Sequence, residues 1–202
     1  ATGAVLQVEA GGHSSVVAPG FDGWLRGLME EAKALARRPL VRAARAGDLK
    51  RIASLLTRGA DINQQDGEGH TPLMAALLAW QYDAARLLLR HAPHLALRDR
   101  EGHTALMWAA YRNQPGIVEQ LIAAGADVNA RTGGGEPVLL FALTGPYALA
   151  EQRPHGSAEV LALLLAAGAA PLAPGQLPAA LRADTDPVLL RLLEEWTGNG
   201  GK

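Results

Sequence analysis

GHTPLMAALLAWQYDAARLLLRHAPHLA (69–96) and GHTALMWAAYRNQPGIVEQLIAAGADVN (102–129) are one phrase written twice, 33 residues apart. A phrase of that length at a fixed period specifies a solenoid, in which each copy is a supersecondary unit that only its neighbours can cover. Thr71 before Pro72 marks a helix start: the hydroxyl can accept a free backbone N–H, and proline's fixed φ and missing N–H cost nothing in the first turn. Leu73, Ala76 and Leu77 recur at helical spacing, as do Ala85, Leu88 and Leu89 in the second half, so each copy is a helix pair with an apolar stripe. Ala43, Ala76, Ala109 and Ala142 share one register and let neighbouring helices pack at the close end of the usual ~8–10 Å. Gly59, Gly125 and Gly168 supply left-handed helix ends.

Working outward, the phrase occurs four times: at 38–63, 71–96, 104–129, and from Pro137 to Leu172 with an interruption between its halves. These lines resemble ankyrin repeats. The resemblance rests on Gly-x-Thr-Pro-Leu at 69–73, on Gly-Ala-Asp-x-Asn at 59–63 and 125–129, and on Asp66 and Asp99 opening the intervening turns. It covers about two thirds of the chain. It implies an all-α solenoid of two antiparallel helices per repeat, a finger-like hairpin between repeats, and a concave face that binds other proteins.

Departures from the pattern carry expectations of their own. Where many ankyrin repeats place histidine after Thr-Pro-Leu, this chain has Val41, Met74, Met107 and Leu140, so apolar packing is expected in place of a polar network. Ala92-Pro93 stands where Gly-Ala stands elsewhere, and a residue before proline is pushed toward extended backbone, so the following finger is expected to take a different path. The spacing from Gly125 to Gly168 is 43 residues, and the extra loop near 144–156 falls between the two helices of the fourth repeat, at the end remote from the fingers.

The flanks complete the organisation. Residues 1–20 read as a loose arm, or alternatively a short hairpin, and 21–37 as an N-terminal capping helix with Trp24, Leu28, Ala32 and Leu35 at helical spacing. The repeats run over 38–175, a degenerate capping repeat over 176–196, and a disordered tail over 197–202. The longest apolar stretches fall short of the ~20 residues of a membrane-spanning helix. With no cysteine, disulfides and thiolate zinc sites are excluded and the redox compartment stays open. The opening Ala1 fits either a cytoplasmic protein trimmed of its methionine or a periplasmic one after signal-peptide removal. Sixteen arginines against three lysines, with abundant alanine, point to a GC-rich bacterial genome.

Charge is laid unevenly: residues 26–100 carry +5 and 101–202 carry −4 within a net charge of −1. That excess is weaker than a nucleic-acid binder shows, and no reading motif accompanies it. On the first helix of each repeat, the row opposite the buried alanines is Arg42, Ala75, Trp108 and Phe141, expected to face the groove. Arg45, Leu78, Tyr111 and Thr144 follow near the helix turns, with Arg112 beside Tyr111, and Tyr111 and Arg112 are expected to be exposed. Trp108 and Phe141 fit packing between repeats as well as contact with a partner. Aromatics and arginine dominate interface centres, so Arg42, Arg45, Leu78, Trp108, Tyr111, Arg112 and Phe141, with the finger residues His70, Arg100 and His103 and the loop residues Tyr147 and Arg153, form the candidate partner-binding set.

Catalysis and metal binding find no comparable pattern. His70 and His103 stand one repeat apart, roughly 8–10 Å, whereas zinc holds its nitrogens at about 2.0–2.1 Å, so a shared metal is not expected. Gly133-Gly134-Gly135 lacks the Lys-Ser/Thr of a phosphate loop, and no nucleophile–base motif is present. The expectation is a non-catalytic scaffold without cofactor, monomeric when free. It holds another protein in its groove, as an inhibitor or immunity protein of a bacterial enzyme or toxin or, alternatively, as an accessory or chaperone-like factor for an exported enzyme.

Overall fold

The computed structural model describes residues 38–144, 158–170 and 172. Within them lie eight helices: α1 (Pro39–Ala46), α2 (Leu49–Thr57), α3 (Pro72–Leu78), α4 (Tyr82–Leu89), α5 (Ala105–Tyr111), α6 (Pro115–Ala123), α7 (Val138–Thr144) and α8 (Ala158–Ala166). Each consecutive pair packs together, the inner helices α1, α3, α5 and α7 follow one another in contact, and the outer helices α2, α4, α6 and α8 do the same. This is the all-α repeat solenoid expected from the 33-residue period. The arm, both caps, the tail and the inserted loop beyond Thr144, which ends α7, lie outside the described residues.

The apolar stripes are buried between repeats rather than within them. Leu77, Leu88, Leu106, Leu121, Leu139 and Leu161 are fully buried in one continuous core that runs through all four pairs. Each such side chain contributes about 1.5–3 kcal/mol on leaving water, which no single pair could collect alone. Ala43, Ala76, Ala109 and Ala142 are buried at the inner-helix contacts, as the close approach requires.

Local capping follows the sequence. Thr71 Oγ1 accepts from Met74 N–H at 3.2 Å, Thr104 Oγ1 from Met107 N–H at 3.4 Å, and Asp48 from Arg51 N–H at 2.9 Å. At Met107 the expected apolar replacement for histidine holds, with an addition: its buried thioether sulfur accepts from Thr104 N–H at 3.4 Å and closes a capping box.

The loops between repeats form three fingers built to one plan. Asp66 N–H donates to the His70 carbonyl, Asp99 N–H to His103, and Thr132 N–H to Glu136, all at 2.9–3.0 Å. Gly69, Gly102 and Gly135 close these turns at positive φ. Successive fingers touch through backbone: Arg100 N–H donates to Glu68 O at 3.0 Å and Gly133 N–H to Glu101 O at 3.1 Å. A Cβ on Gly69 would sit 3.0 Å from Arg100 N, and one on Gly102 would overlap the Gly133 amide, so both must be glycine. Side chains spaced by 33 residues repeat the link. Gln65 donates to Gly69 O and Arg98 O, Arg98 to Gly102 O and Arg131 O, and Arg131 to Gly135 O.

Ala92 departs from the sequence expectation. Its φ is 48°, left-handed like Gly59, Gly125 and Gly168 at 79°, 87° and 87°; Pro93 lacks the N–H that Ala60 and Ala126 donate to Leu55 O and Leu121 O, yet the finger that follows keeps the Asp99 N–H to His103 O bond of its neighbours. The packed repeats on both sides impose the path, and the alanine bears the strain that proline was expected to relieve by extension.

Candidate functional site

The inner helices and fingers share one face, and its floor is a chain of rings. Trp108 on α5 lies 4.8 Å from the His103 ring, 6.4 Å from His70 and 6.0 Å from Tyr111, and His103 meets Phe141 edge-on at 5.3 Å. The finger turns deliver the histidines and the inner helices deliver Trp108, Tyr111 and Phe141, so the 33-residue register brings them together. Trp108 and Phe141 are half-buried: they pack between repeats and keep an exposed edge.

Asp99 is the hub of this floor. Buried, it accepts from the Glu101 and His103 N–H groups through Oδ1, at 3.1 and 2.8 Å, and from the Trp108 indole N–H through Oδ2 at 3.0 Å. His103 Nδ1 lies 3.1 Å from the same Oδ2. His70 Nε2 approaches Oδ2 at 3.9 Å. This satisfied buried carboxylate fixes Trp108 and His103 in place.

One repeat earlier, Asp66 plays the same part in a more open setting. Burial works to raise its pKa, but the His70 backbone N–H, the His70 charge and the Glu68 N–H outweigh it and hold the carboxyl below its ordinary value. Its Oδ2 also takes Arg45 at 2.8 Å, which pins that arginine from α1 across to the finger. Arg42, one turn back on α1, stays exposed. The Arg100 side chain is 68% exposed and reaches Glu68 at 3.5 Å.

A second group gathers at the turns between inner and outer helices. Arg112 and Tyr111, expected to be exposed, are both half-buried. The Arg112 guanidinium donates to Leu78 O at 2.8 Å, the last carbonyl of α3, and lies 4.3 Å above the Trp80 ring and 5.5 Å from Tyr111. It thus closes the end of the preceding helix as well as lining the surface, a contact that helical spacing within one repeat does not reveal. Tyr147 and Arg153 lie outside the described residues.

Trp80 was missing from the sequence-derived set. It is 43% exposed at φ 61°, in register with Gly47 at 68° and Asn113 at 51°. Aligning the three turns at the 33-residue period exposes the signal: a tryptophan stands where glycine and asparagine hold the same left-handed backbone.

Among the described residues no three His, Asp or Glu side chains converge as they would around a metal ion, and no helix is long and apolar enough to cross a membrane. A family model described as ankyrin repeats, three copies, matches residues 40–132. Residues 40–132 are ankyrin repeats. A search of curated proteins finds no match to the chain. The matched region spans α1 to α6 and the first two fingers and ends at Thr132, where the third begins, while α7 and α8 extend the same packing beyond it. Ankyrin repeats are protein–protein interaction modules.

Proposed function

We propose that this protein is a non-catalytic inhibitor or immunity protein that holds a bacterial enzyme or toxin against its inner-helix face. The observation that carries the reading is the half-exposed group of Trp108, Tyr111 and Phe141, with Trp108 held by Asp99, beside the half-buried Arg112. Rigid aromatics beside arginine give large contact area at low ordering cost, which suits tight capture of a folded surface. Covering an active site requires no chemistry from the scaffold. Within this reading, Arg45, His70, Leu78, Arg100, His103 and Arg112 border the contact, and Tyr147 and Arg153 of the inserted segment add to it.

The test is affinity capture from the source cell followed by titration of the captured enzyme with the pure protein. Activity should fall to near zero at one equivalent, and Arg42→Glu with Phe141→Ala should weaken that effect at least tenfold with an unchanged circular dichroism spectrum. Activity that rises on titration would replace inhibition with an accessory role, in which the protein supports the enzyme's maturation or stability.

A further inference from the structure

Each finger opens on a residue that ties its own turn. In the first two fingers that residue is aspartate, and its two oxygens serve different partners. Oδ1 of Asp66 accepts from the Glu68 and His70 N–H groups, both at 2.9 Å, and Oδ1 of Asp99 from Glu101 and His103 at 3.1 and 2.8 Å. Oδ2 meets side chains instead: Arg45 Nη2 at 2.8 Å and His70 Nδ1 at 3.4 Å on Asp66, Trp108 Nε1 at 3.0 Å and His103 Nδ1 at 3.1 Å on Asp99.

The third finger shows that the turn forms without the second oxygen. Thr132 stands in the same register, and its Oγ1 accepts from Glu136 N–H at 3.1 Å. Its backbone keeps the bonds of the other fingers, with Thr132 N–H on Glu136 O at 2.9 Å and Gly135 N–H on Thr132 O at 3.0 Å. In the register of Trp108 this repeat carries Phe141, whose ring has no N–H to donate. A two-oxygen acceptor therefore stands where a groove side chain is held, and a one-oxygen residue where the neighbouring ring cannot donate.

We propose that Asp99 is a positioning residue for partner recognition, whose Oδ1 builds the finger while its Oδ2 sets the Trp108 indole in the orientation a partner meets. This rests on the protein-binding reading of the inner-helix face. Trp108 is half-buried, so part of its ring faces outward while its polar edge is held from within by a buried carboxylate. A ring ordered beforehand loses less freedom on binding and is not met in other rotamers.

The test separates the two oxygens with Asp99→Thr, the residue the third finger already uses. By NMR the Trp108 indole N–H should pass from slow to fast hydrogen exchange, with the other three tryptophan indoles as internal references. Binding is read with 12-residue peptides selected from a displayed random library on the full chain and kept only where Trp108→Ala weakens them. Asp99→Thr should lower their affinity about fivefold. It should have no further effect in a Trp108→Phe background, which gives Oδ2 no N–H to hold. Asp99→Asn, which keeps Oδ1 for the turn and sets an amide N–H against the indole N–H, should give the same loss. An equal loss with and without Trp108→Phe would mean that Asp99 acts through the finger alone, and that overturns the proposal. So would loss of a cooperative urea transition in both Asp99 variants. If Asp99→Thr binds at wild-type strength, the positioning role is wrong while the inner-helix reading stands. If Trp108→Ala weakens no selected peptide, both fail.

Discussion

The fingers and the helix turns sit at opposite ends of the same inner helices and are governed by different constraints. In the finger register the chain repeats itself closely: Asp66 and Asp99, Gly69 and Gly102, His70 and His103, with Gln65, Arg98 and Arg131 as rungs. In the turn register one backbone conformation is held by glycine, tryptophan and asparagine. The fingers touch one another through main chain, so a change in one displaces the next. The turns contact their neighbours through side chains, as Arg112 does on Trp80 and Leu78, and can diverge without disturbing the stack. Repetition therefore marks where repeats are coupled, and divergence marks where a surface can be specialised.

The sharpest way to break this comparison is Gly102→Ala. A Cβ there meets the backbone of the next finger at positive φ, so a loss of about 3 kcal/mol is expected in urea unfolding. Gly116→Ala, with open space around it inside α6, should be neutral or gain about 0.5–1 kcal/mol. Equal effects at the two sites would remove the claim that finger stacking is tight. Thr71→Ala tests the junction of finger and helix. Loss of the bond to Met74 N–H should cost about 1 kcal/mol, and a melting curve superimposable on wild type would cancel that cap.

Ala92→Gly sharpens the point from the other side. The repeats hold this alanine left-handed, so glycine should raise stability by about 0.5–1 kcal/mol, net of its greater unfolded-state freedom. A decrease in the urea midpoint would show that the strain is not real. The smallest effect concerns Asp66. Its pKa is depressed in the fold, so its stabilising contribution is complete above the ordinary aspartate range and is lost as pH falls through the folded value. The stability gap between wild type and Asp66→Asn should shrink as pH falls below the ordinary aspartate range, and a gap that widens on acidification would reverse the assignment.

Most of the fold was legible because its determinants are local and periodic: Thr-Pro helix starts, glycine ends, and stripes at helical spacing. The candidate face was legible in part. Spacing placed Trp108 and Phe141 on one row, but Asp99 as the hub and Arg112 as a tie to Leu78 depend on contacts across a repeat. Ala92 was misread because proline's preference for an extended predecessor was weighed alone, while the flanking repeats impose the turn. Trp80 escaped because exposure and left-handed backbone leave no mark in hydrophobic periodicity.

Native-state hydrogen exchange resolved to single amides tests the contrast most directly. The Arg100 and Gly133 amides, which bridge the fingers, should exchange only in the opening event that also releases the buried Ala109 and Ala110 amides of α5. The Trp80 and Asn113 amides, bonded to Leu77 O and Ala110 O within their own turns, should exchange faster by local opening. Arg100 and Gly133 exchanging as fast as Trp80 and Asn113 would contradict the account, because the fingers would then be ornaments on the stack rather than its couplings.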